Sequence, residues 1–494
     1  MSGRLWESVP TAPAAFRVIR LTVRAYSRRV AAKTAVVLPG SPRAVSAQIP
    51  TTAIIVAAVV AVGVIAWHVT AFPITNPFYG LFQNATDVRV YRAGAATVLD
   101  AGPLYDAPVL WRLHFTYPPF AAVVFVPLAL ISGTLANIVW WTIGFAALVG
   151  VVAMSLRSLN YRLDARLGVF AVLIAIASTA LEPIRTTIWL GQVNLLVMTL
   201  ILVDLMFLGK SSRWRGVAIG IAAGIKLTPL FAVVYLVASR QWRAAGTAVA
   251  TFAATVAIGF VVIPGDSWAY WTRHLTETDR VGRADSPANQ SIRGSVSQLL
   301  AHFDIGRFAE RAPGGPVFVA PTWLWLPLAV IVAGLGLLAA VLAHRESRDL
   351  LAATIVGMTM CAVSPFAWGH HWVWCVPLFI VGLDLALRRG TTARTWWYWL
   401  APAGVVGLTF TWWRHWWDSG PYLTSDHAIA LGLFMMPRDP PGSLVGDVQV
   451  VLYSGCYPLL LAVTVSATLI DAARTRHRRR TSTLPAPEDA ASIA

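Results

Sequence analysis

The chain has 494 residues, of which 57% are hydrophobic and only 13% charged, and it carries a net charge of +16 at pH 7. A soluble domain carries roughly 25% charged residues, so a deficit spread over most of the length excludes an ordinary water-soluble enzyme. The basic excess does not point to nucleic acid either, because it collects in short loops and at the two ends rather than along one face.

At the N-terminal side, Arg17, Arg20, Arg24, Arg28, Arg29 and Lys33 precede the first apolar run, and Arg474, Arg476, Arg478, Arg479 and Arg480 follow the last. This positive-inside bias predicts that both termini are cytoplasmic. The stretch 1–50 reads as a basic cytoplasmic extension, too long for the charged region of a secretory signal and followed by no small-residue cleavage site.

Apolar runs then recur at 52–72, 134–156, 167–182, 189–208, 216–239, 244–263, 321–343, 350–367, 372–386, 396–413 and 448–470. They are continuous rather than alternating and lie near the ~20 residues that cross a bilayer, so they predict helices and not barrel strands. The basic loops 157–166, 210–215, 240–243, 344–348 and 388–394 all belong inside. Loops 210–215 and 240–243 share a side only if 216–239 crosses an even number of times, and Lys226 and Pro229 break that run into a hairpin of two short helices. The expectation is an all-α polytopic membrane protein over 51–473 with about 12 spans. A disordered cytoplasmic tail is expected over 474–494.

The apolar run 118–131 is short, and parity favours its lying in the outer interface over crossing. The same bookkeeping places the loops 73–117, 264–320 and 414–447 outside, together with the turn that holds His370 and His371. The large loop 264–320 has room for short interfacial helices. Cys361, Cys375 and Cys456 sit in or beside apolar runs and read as buried small hydrophobes, without disulfide or metal spacing.

Chemistry is most legible in TDVRVYRAGAATVLDAGPLYDAPVLWRLHFTYPP, residues 86–119, beyond the first span. Asp87 there is either a general base for a sugar hydroxyl or an ordinary loop or helix N-cap residue. In SPFAWGHHWVW, His370 and His371 suit phosphate binding or acid–base work, and equally a packed or interfacial aromatic belt with Trp372. Gln192, Asn194 and Lys226 are polar groups at membrane depth, which serve either function or helix–helix hydrogen bonding. Arg89, Arg92 and Arg293 offer bidentate contacts to phosphate or are solvated loop charges. Glu182, Arg185 and Asp204 are further membrane-edge charges suited to structural pairing. Asn289-Gln290-Ser291 matches the short N-x-S glycosylation pattern, and the tryptophan-rich 411–427 suits sugar stacking or membrane anchoring.

Five motifs follow in order: D-x-x-V-Y-x-x-G with G-x-L-Y and Y-P-P (Asp87 to Pro119), L-G-Q-V-N (190–194), W-x-G-x-A-x-G-x-A-A-x-I-K-x-T-P (Trp214 to Pro229), N-Q-S (289–291) and S-P-x-x-W-x-H-H-W-V-W (364–374). Together they resemble the GT-C glycosyltransferases, and within them glycosyltransferase family 87, which includes actinobacterial polyprenyl-phosphate-mannose-dependent α-mannosyltransferases. The resemblance covers residues 52–470. It implies a GT-C fold in the plasma membrane with its active site at the outer face, a polyprenyl-phosphate-mannose donor, and a growing phosphatidylinositol mannoside, lipomannan or lipoarabinomannan as acceptor of an α-1,2 bond. It places the catalytic base at Asp87. Substrate contacts are expected from His370, His371, Arg89, Arg92, Tyr91, Gln192, Asn194, Lys226, Asn289, Gln290 and Trp372. A divalent metal stays open, though no carboxylate pair with ligand spacing is evident. The rival readings are an arabinofuranosyltransferase of the same fold, a lipid-linked sugar transporter and a membrane scaffold.

Overall fold

The computed structural model describes residues 47–70, 74–75, 80–209, 211–312, 315–410, 413–414, 429–430, 442 and 444–482. The basic extension 1–46, nearly all of the tryptophan-rich segment 411–427 and the tail from 483 lie outside the described residues.

Among the described residues, five helices are long and apolar enough to cross a membrane: Thr51–Thr70, Gly133–Ser158, Trp242–Val262, Thr322–Arg345 and Cys456–His477. A sixth arises if Ala165–Ser178 and Glu182–Leu190, bent by 84° at their junction, count as one broken span. The remaining apolar runs form shorter helices, and their breaks have local causes. The run expected as one span at 189–208 is cut at Gly191, which closes Glu182–Leu190 in the left-handed region at φ 73° before Asn194–Leu202 begins. The run 448–470 is likewise two helices, Leu444–Ser454 and Cys456–Ser482. The second of these continues to Ser482, so the start of the expected disordered tail is helical.

The run 216–239 is broken where expected, into Val217–Ile225 and Leu230–Ala238, with Lys226 extended at the break and Pro229 opening the second helix; the fold-back of a hairpin rests on the loop charges alone. The run 118–131 forms two short helices, Pro119–Val124 and Val126–Ala129, and no single spanning helix. The loop 264–320 carries Pro264–Thr272, Ile292–His302 and a two-stranded antiparallel hairpin pairing Ala309–Glu310 with Val317–Phe318. A second such pair joins Trp413–Arg414 to Ile429–Ala430, so two small β-ribbons decorate the helical fold.

The glycine spacing of the motif 214–229 has a packing cause. Gly216, Gly220 and Gly224 lie four apart on one face, and helix Trp242–Val262 approaches that face closely. A Cβ at Gly220 would stand 2.5 Å from the Thr251 side chain and 2.6 Å from the Ala248 carbonyl. At Gly224 it would meet the Thr255 hydroxyl at 2.3 Å. This contact carries Lys226, at the end of the glycine helix, to a fixed place. Gly220→Ala is therefore expected to destabilise the folded protein by ~1–3 kcal/mol, read as a lower melting temperature in detergent.

Candidate active site

Helix Thr86–Leu99 begins without Asp87 serving as its cap. Ala85 occupies the N-cap position at φ 49°, and the Asn84 side-chain carbonyl accepts from the Thr86 N–H at 3.0 Å and also from its hydroxyl. Asn84, one residue before the cap, thus serves the first N–H of the helix, and the Asp87 carboxylate in the first turn is left to face a cavity of about 430 Å³. The start of this helix is tied to the L-G-Q-V-N segment. The Ala85 N–H donates to the Trp189 carbonyl at 2.9 Å, and Trp140 Nε1 donates to the Gly191 carbonyl at 2.7 Å. A Cβ at Gly191 would stand 2.3 Å from Val88 Cγ2, so only glycine permits both the left-handed turn and this approach.

That approach sets Gln192 beside Asp87. Gln192 Oε1 accepts from the Tyr91 hydroxyl at 3.2 Å and the Tyr117 hydroxyl at 3.1 Å, and the two phenols are 3.0 Å apart. With its oxygen held by two donors, the amide turns its NH2 to the Asp87 carboxylate and hydrogen-bonds it. Burial pushes the Asp87 carboxyl up to about 7, while the Gln192 amide and the Lys226 charge pull it the other way. A carboxylate held near neutrality is suited to exchanging a proton.

Lys226 lines the same cavity. Its Nζ donates to Asn194 Oδ1 at 2.8 Å, lies 2.9 Å from His371 Nε2 and stands 5.8 Å over the Tyr117 ring. A charged lysine has only donors, so His371 Nε2 accepts and the imidazole is neutral with its proton on Nδ1. Burial first, and then Lys226, hold both His370 and His371 well below the usual histidine range. The two histidines differ in place. His371 lines the cavity, whereas His370 is buried behind it, its carbonyl accepting from Asn194 Nδ2 at 2.8 Å and Thr187 Oγ1 at 3.1 Å.

A second polar group, centred on Arg280 of loop 264–320, also lines the cavity. Arg280 bonds the Glu277 carboxylate at 3.1 Å, His114 Nδ1 at 3.0 Å and the Tyr105 carbonyl. His274 Nδ1 pairs with Glu277 at 2.6 Å, and all five residues line the cavity. These groups were missed in the sequence, although His274, Glu277 and Arg280 recur at three-residue spacing in a loop of mixed composition.

Of the residues expected to contact substrate, the structure brings Asp87, Gln192, Lys226 and His371 to the cavity wall, with Tyr91 and Asn194 directly behind. Others are placed elsewhere. Arg92 donates from Nε to the Leu128 carbonyl at 2.9 Å and from a terminal nitrogen to the Ile131 carbonyl at 2.8 Å, clamping the short helix Val126–Ala129 instead of facing a phosphate. Arg89, on an exposed part of the same helix, is not in the cavity lining. Trp372 is packed in the interior against Tyr457.

Asn289 and Gln290 are fully buried joints. Asn289 Oδ1 accepts from the Ala367 N–H at 3.1 Å, and the Gln290 amide donates to the Tyr453 carbonyl at 2.8 Å. Burial of Asn289 also removes it as a glycosylation acceptor in the folded chain. Among the described residues, no group of three or more His, Cys, Asp or Glu side chains is placed to hold a metal ion.

Two of the remaining membrane-edge charges are pinned. Glu182 accepts from the Tyr457 hydroxyl at 2.5 Å and from Thr186 at 3.0 Å, and lies against Gly369 of the histidine turn. Asp204 accepts from the Gly216 and Ala218 N–H groups at 2.7 and 2.9 Å, capping the glycine helix from outside it.

A fold of apolar helices around a cavity lined by the Asp87 and Glu277 carboxylates together with lysine, histidine and arginine has the make-up of a membrane-embedded enzyme site. The sequence model of glycosyltransferase family 87 matches residues 115–365, and the chain belongs to that family. It is 34% identical over 371 residues to the polyprenol-phosphate-mannose-dependent alpha-(1-2)-phosphatidylinositol mannoside mannosyltransferase of Mycobacterium tuberculosis, covering 71% of this chain and 80% of that protein. It is also 36% identical over 336 residues to a Mycobacterium tuberculosis polyprenol-phosphate-mannose-dependent alpha-(1-2)-phosphatidylinositol pentamannoside mannosyltransferase, covering 66% of this chain and 72% of that protein. The pentamannoside mannosyltransferase of Mycolicibacterium smegmatis is 34% identical over 339 residues, 66% of this chain and 76% of that protein. No solved structure matches the chain.

Proposed function

We propose that the protein is an inverting α-mannosyltransferase that moves mannose from polyprenyl-phosphate-mannose to a hydroxyl of a phosphatidylinositol mannoside, forming an α-1,2 bond. The observation that carries this reading is the single cavity holding Asp87, Lys226, His371 and Arg280 in a chain of this family. The acceptor hydroxyl oxygen bonds to the anomeric carbon as the bond from that carbon to the phosphate oxygen breaks, its electron pair leaving with the phosphate. Asp87 takes the hydroxyl proton. Attack from the face opposite the phosphate inverts the centre from β to α. Lys226, steadied by Asn194 and His371, and Arg280 supply positive charge for the departing phosphate.

In the membrane the proposed arrangement is about 12 crossings with short broken helices counted in pairs, both termini cytoplasmic and the cavity open to the outer face, where a lipid-borne donor and acceptor meet. Incubation of the purified protein in detergent with phosphatidylinositol mannoside and, in parallel, synthetic polyprenyl-phosphate-mannose or polyprenyl-phosphate-arabinofuranose tests the reading. A new α-1,2-mannosidic bond, identified by mass spectrometry and NMR, is expected. Absence of any new bond favours a transporter, and transfer only from the arabinofuranose donor favours the pentose enzyme.

The proton affinity of Asp87 gives a pH signature. The base form is needed, so kcat/KM is expected to fall about tenfold per pH unit below an inflection near 7 and to level off above it. Gln192→Met removes the bond that favours the carboxylate, and the inflection should move to higher pH. A flat profile from pH 5 to 8 contradicts this role.

A further inference from the structure

A second cavity, of about 520 Å³, lies beside the first and is not used by the mechanism above. Two guanidiniums line it, from Arg293 and Arg307, against one carboxylate, from Glu310. Thr322 and Trp325, from the first turn of the 24-residue helix Thr322–Arg345, complete one wall. That helix has no side-chain cap at its N-terminus, so its dipole adds to the positive field there. The cavity is large enough for a substituted cyclitol phosphate and too charged for an acyl chain.

Its distance from the reacting centre is short because the two cavities share a wall. Pro365 lines both, and the neighbouring Phe366 lines the reaction cavity while the Arg293 guanidinium lies 5.6 Å over its ring. The N-Q-S motif holds this arrangement in register. Ser291 Oγ caps helix Ile292–His302 by accepting from the Gly294 N–H at 2.9 Å, which fixes Arg293 in the first turn. The same hydroxyl reaches the Pro365 carbonyl at 3.2 Å, and the Gln290 N–H donates to the Ala367 carbonyl at 2.8 Å. Arg293 and the Pro365–Ala367 strip therefore sit as one unit, and this assigns a task to a motif whose own side chains are buried.

We infer that the Arg293–Arg307 cavity binds the phosphodiester headgroup of the acceptor lipid, so that its mannosyl branch extends past Pro365 to Asp87. The inference rests on the proposed transfer reaction and adds where the anionic end of the acceptor is held. A guanidinium pair suits a phosphodiester because its two free oxygens accept bidentate hydrogen bonds. The donor's own phosphate is attached at the reacting carbon and belongs beside Lys226 and Arg280. An acceptor with a phosphate several sugars away from the attacking hydroxyl needs a second anionic site displaced from the first, and this cavity supplies one.

The test compares the full-length enzyme in detergent with two acceptors, phosphatidylinositol mannoside and a phosphate-free alkyl mannoside. The wild type is expected to prefer the phosphodiester acceptor in kcat/KM, and R293Q and R307Q are each expected to cut that preference about tenfold while the KM for polyprenyl-phosphate-mannose stays within about twofold. An unchanged preference in both variants overturns the inference, as does a rise in the donor KM without a change in preference, which would give the cavity to the donor. Lipid retention supplies a readout independent of transfer. Native mass spectrometry with phosphatidylinositol and no donor should show the wild type retaining the lipid and the double variant losing it. Equal retention overturns the inference even if mannosyl transfer is intact, whereas retention without transfer to either acceptor leaves this site standing and sinks the reaction proposed above. The two arginines lie on separate elements, a helix and a short turn, so a fold defect in one variant leaves the other informative.

Discussion

Asp87→Asn is expected to lower kcat by about 10²–10⁴-fold with the protein still folded, because it removes the one group positioned to accept the acceptor proton. The substitution is nearly isosteric, and Asn84, not Asp87, accepts from the first N–H of the helix, so the local backbone has no cause to move. Asparagine also keeps an oxygen for the Gln192 amide. The loss should therefore fall on turnover and leave the melting temperature and donor affinity close to those of the wild type. Single-turnover transfer with labelled polyprenyl-phosphate-mannose, set beside a thermal melt, separates the two effects. Near-full turnover in the folded variant removes Asp87 from the role of base.

Lys226→Met is expected to be the second most damaging change, lowering kcat by about 10²–10³-fold through loss of a preorganised charge for the departing phosphate. It acts on three neighbours at once. Asn194 Oδ1 and His371 Nε2 lose their shared donor, and the positive charge that restrains the Asp87 carboxyl disappears. The sign of the last effect is distinctive. Lys226 holds the Asp87 proton affinity down, so its removal should shift the residual activity's acid inflection upward. A merely structural lysine would lower activity without moving the inflection, and the pH–rate profile of the variant tells these apart.

Much of this site was visible in the residues themselves, and the reasons for the remainder are physical. Asp87 stood out because a carboxylate beside an apolar span is costly without a task. Lys226 and Pro229 announced the break in 216–239 because neither continues an apolar helix. What the chain could not disclose from spacing was the partner of each polar group. Arg92 looked like a phosphate ligand, yet its donors are met by carbonyls from the short helical turn near Leu128 and Ile131. Asn289 and Gln290 looked exposed and are buried joints to Ala367 and Tyr453, contacts that close only in three dimensions.

The adjacent histidines illustrate the same limit. Identical side chains one residue apart have different surroundings, the His371 ring lining the cavity and the His370 ring buried behind it while the His370 carbonyl accepts from Asn194 and Thr187, because a short 3₁₀ turn over Gly369–His371 rotates successive residues to different sides. The breaks inside the apolar runs were illegible for a related reason. Hydropathy sums across Gly191 and Gly455 without registering the interruption of the helix there, so a run that reads as one long helix is two shorter ones.

The most direct measurement is a structure with a non-transferable phosphonate analogue of polyprenyl-phosphate-mannose bound in detergent or nanodisc. The account predicts the phosphonate against Lys226 and Arg280, with the anomeric carbon turned to Asp87 at a distance that leaves room for one hydroxyl between them. Density for the sugar in another cavity, with the Asp87 carboxylate facing empty space, would contradict it.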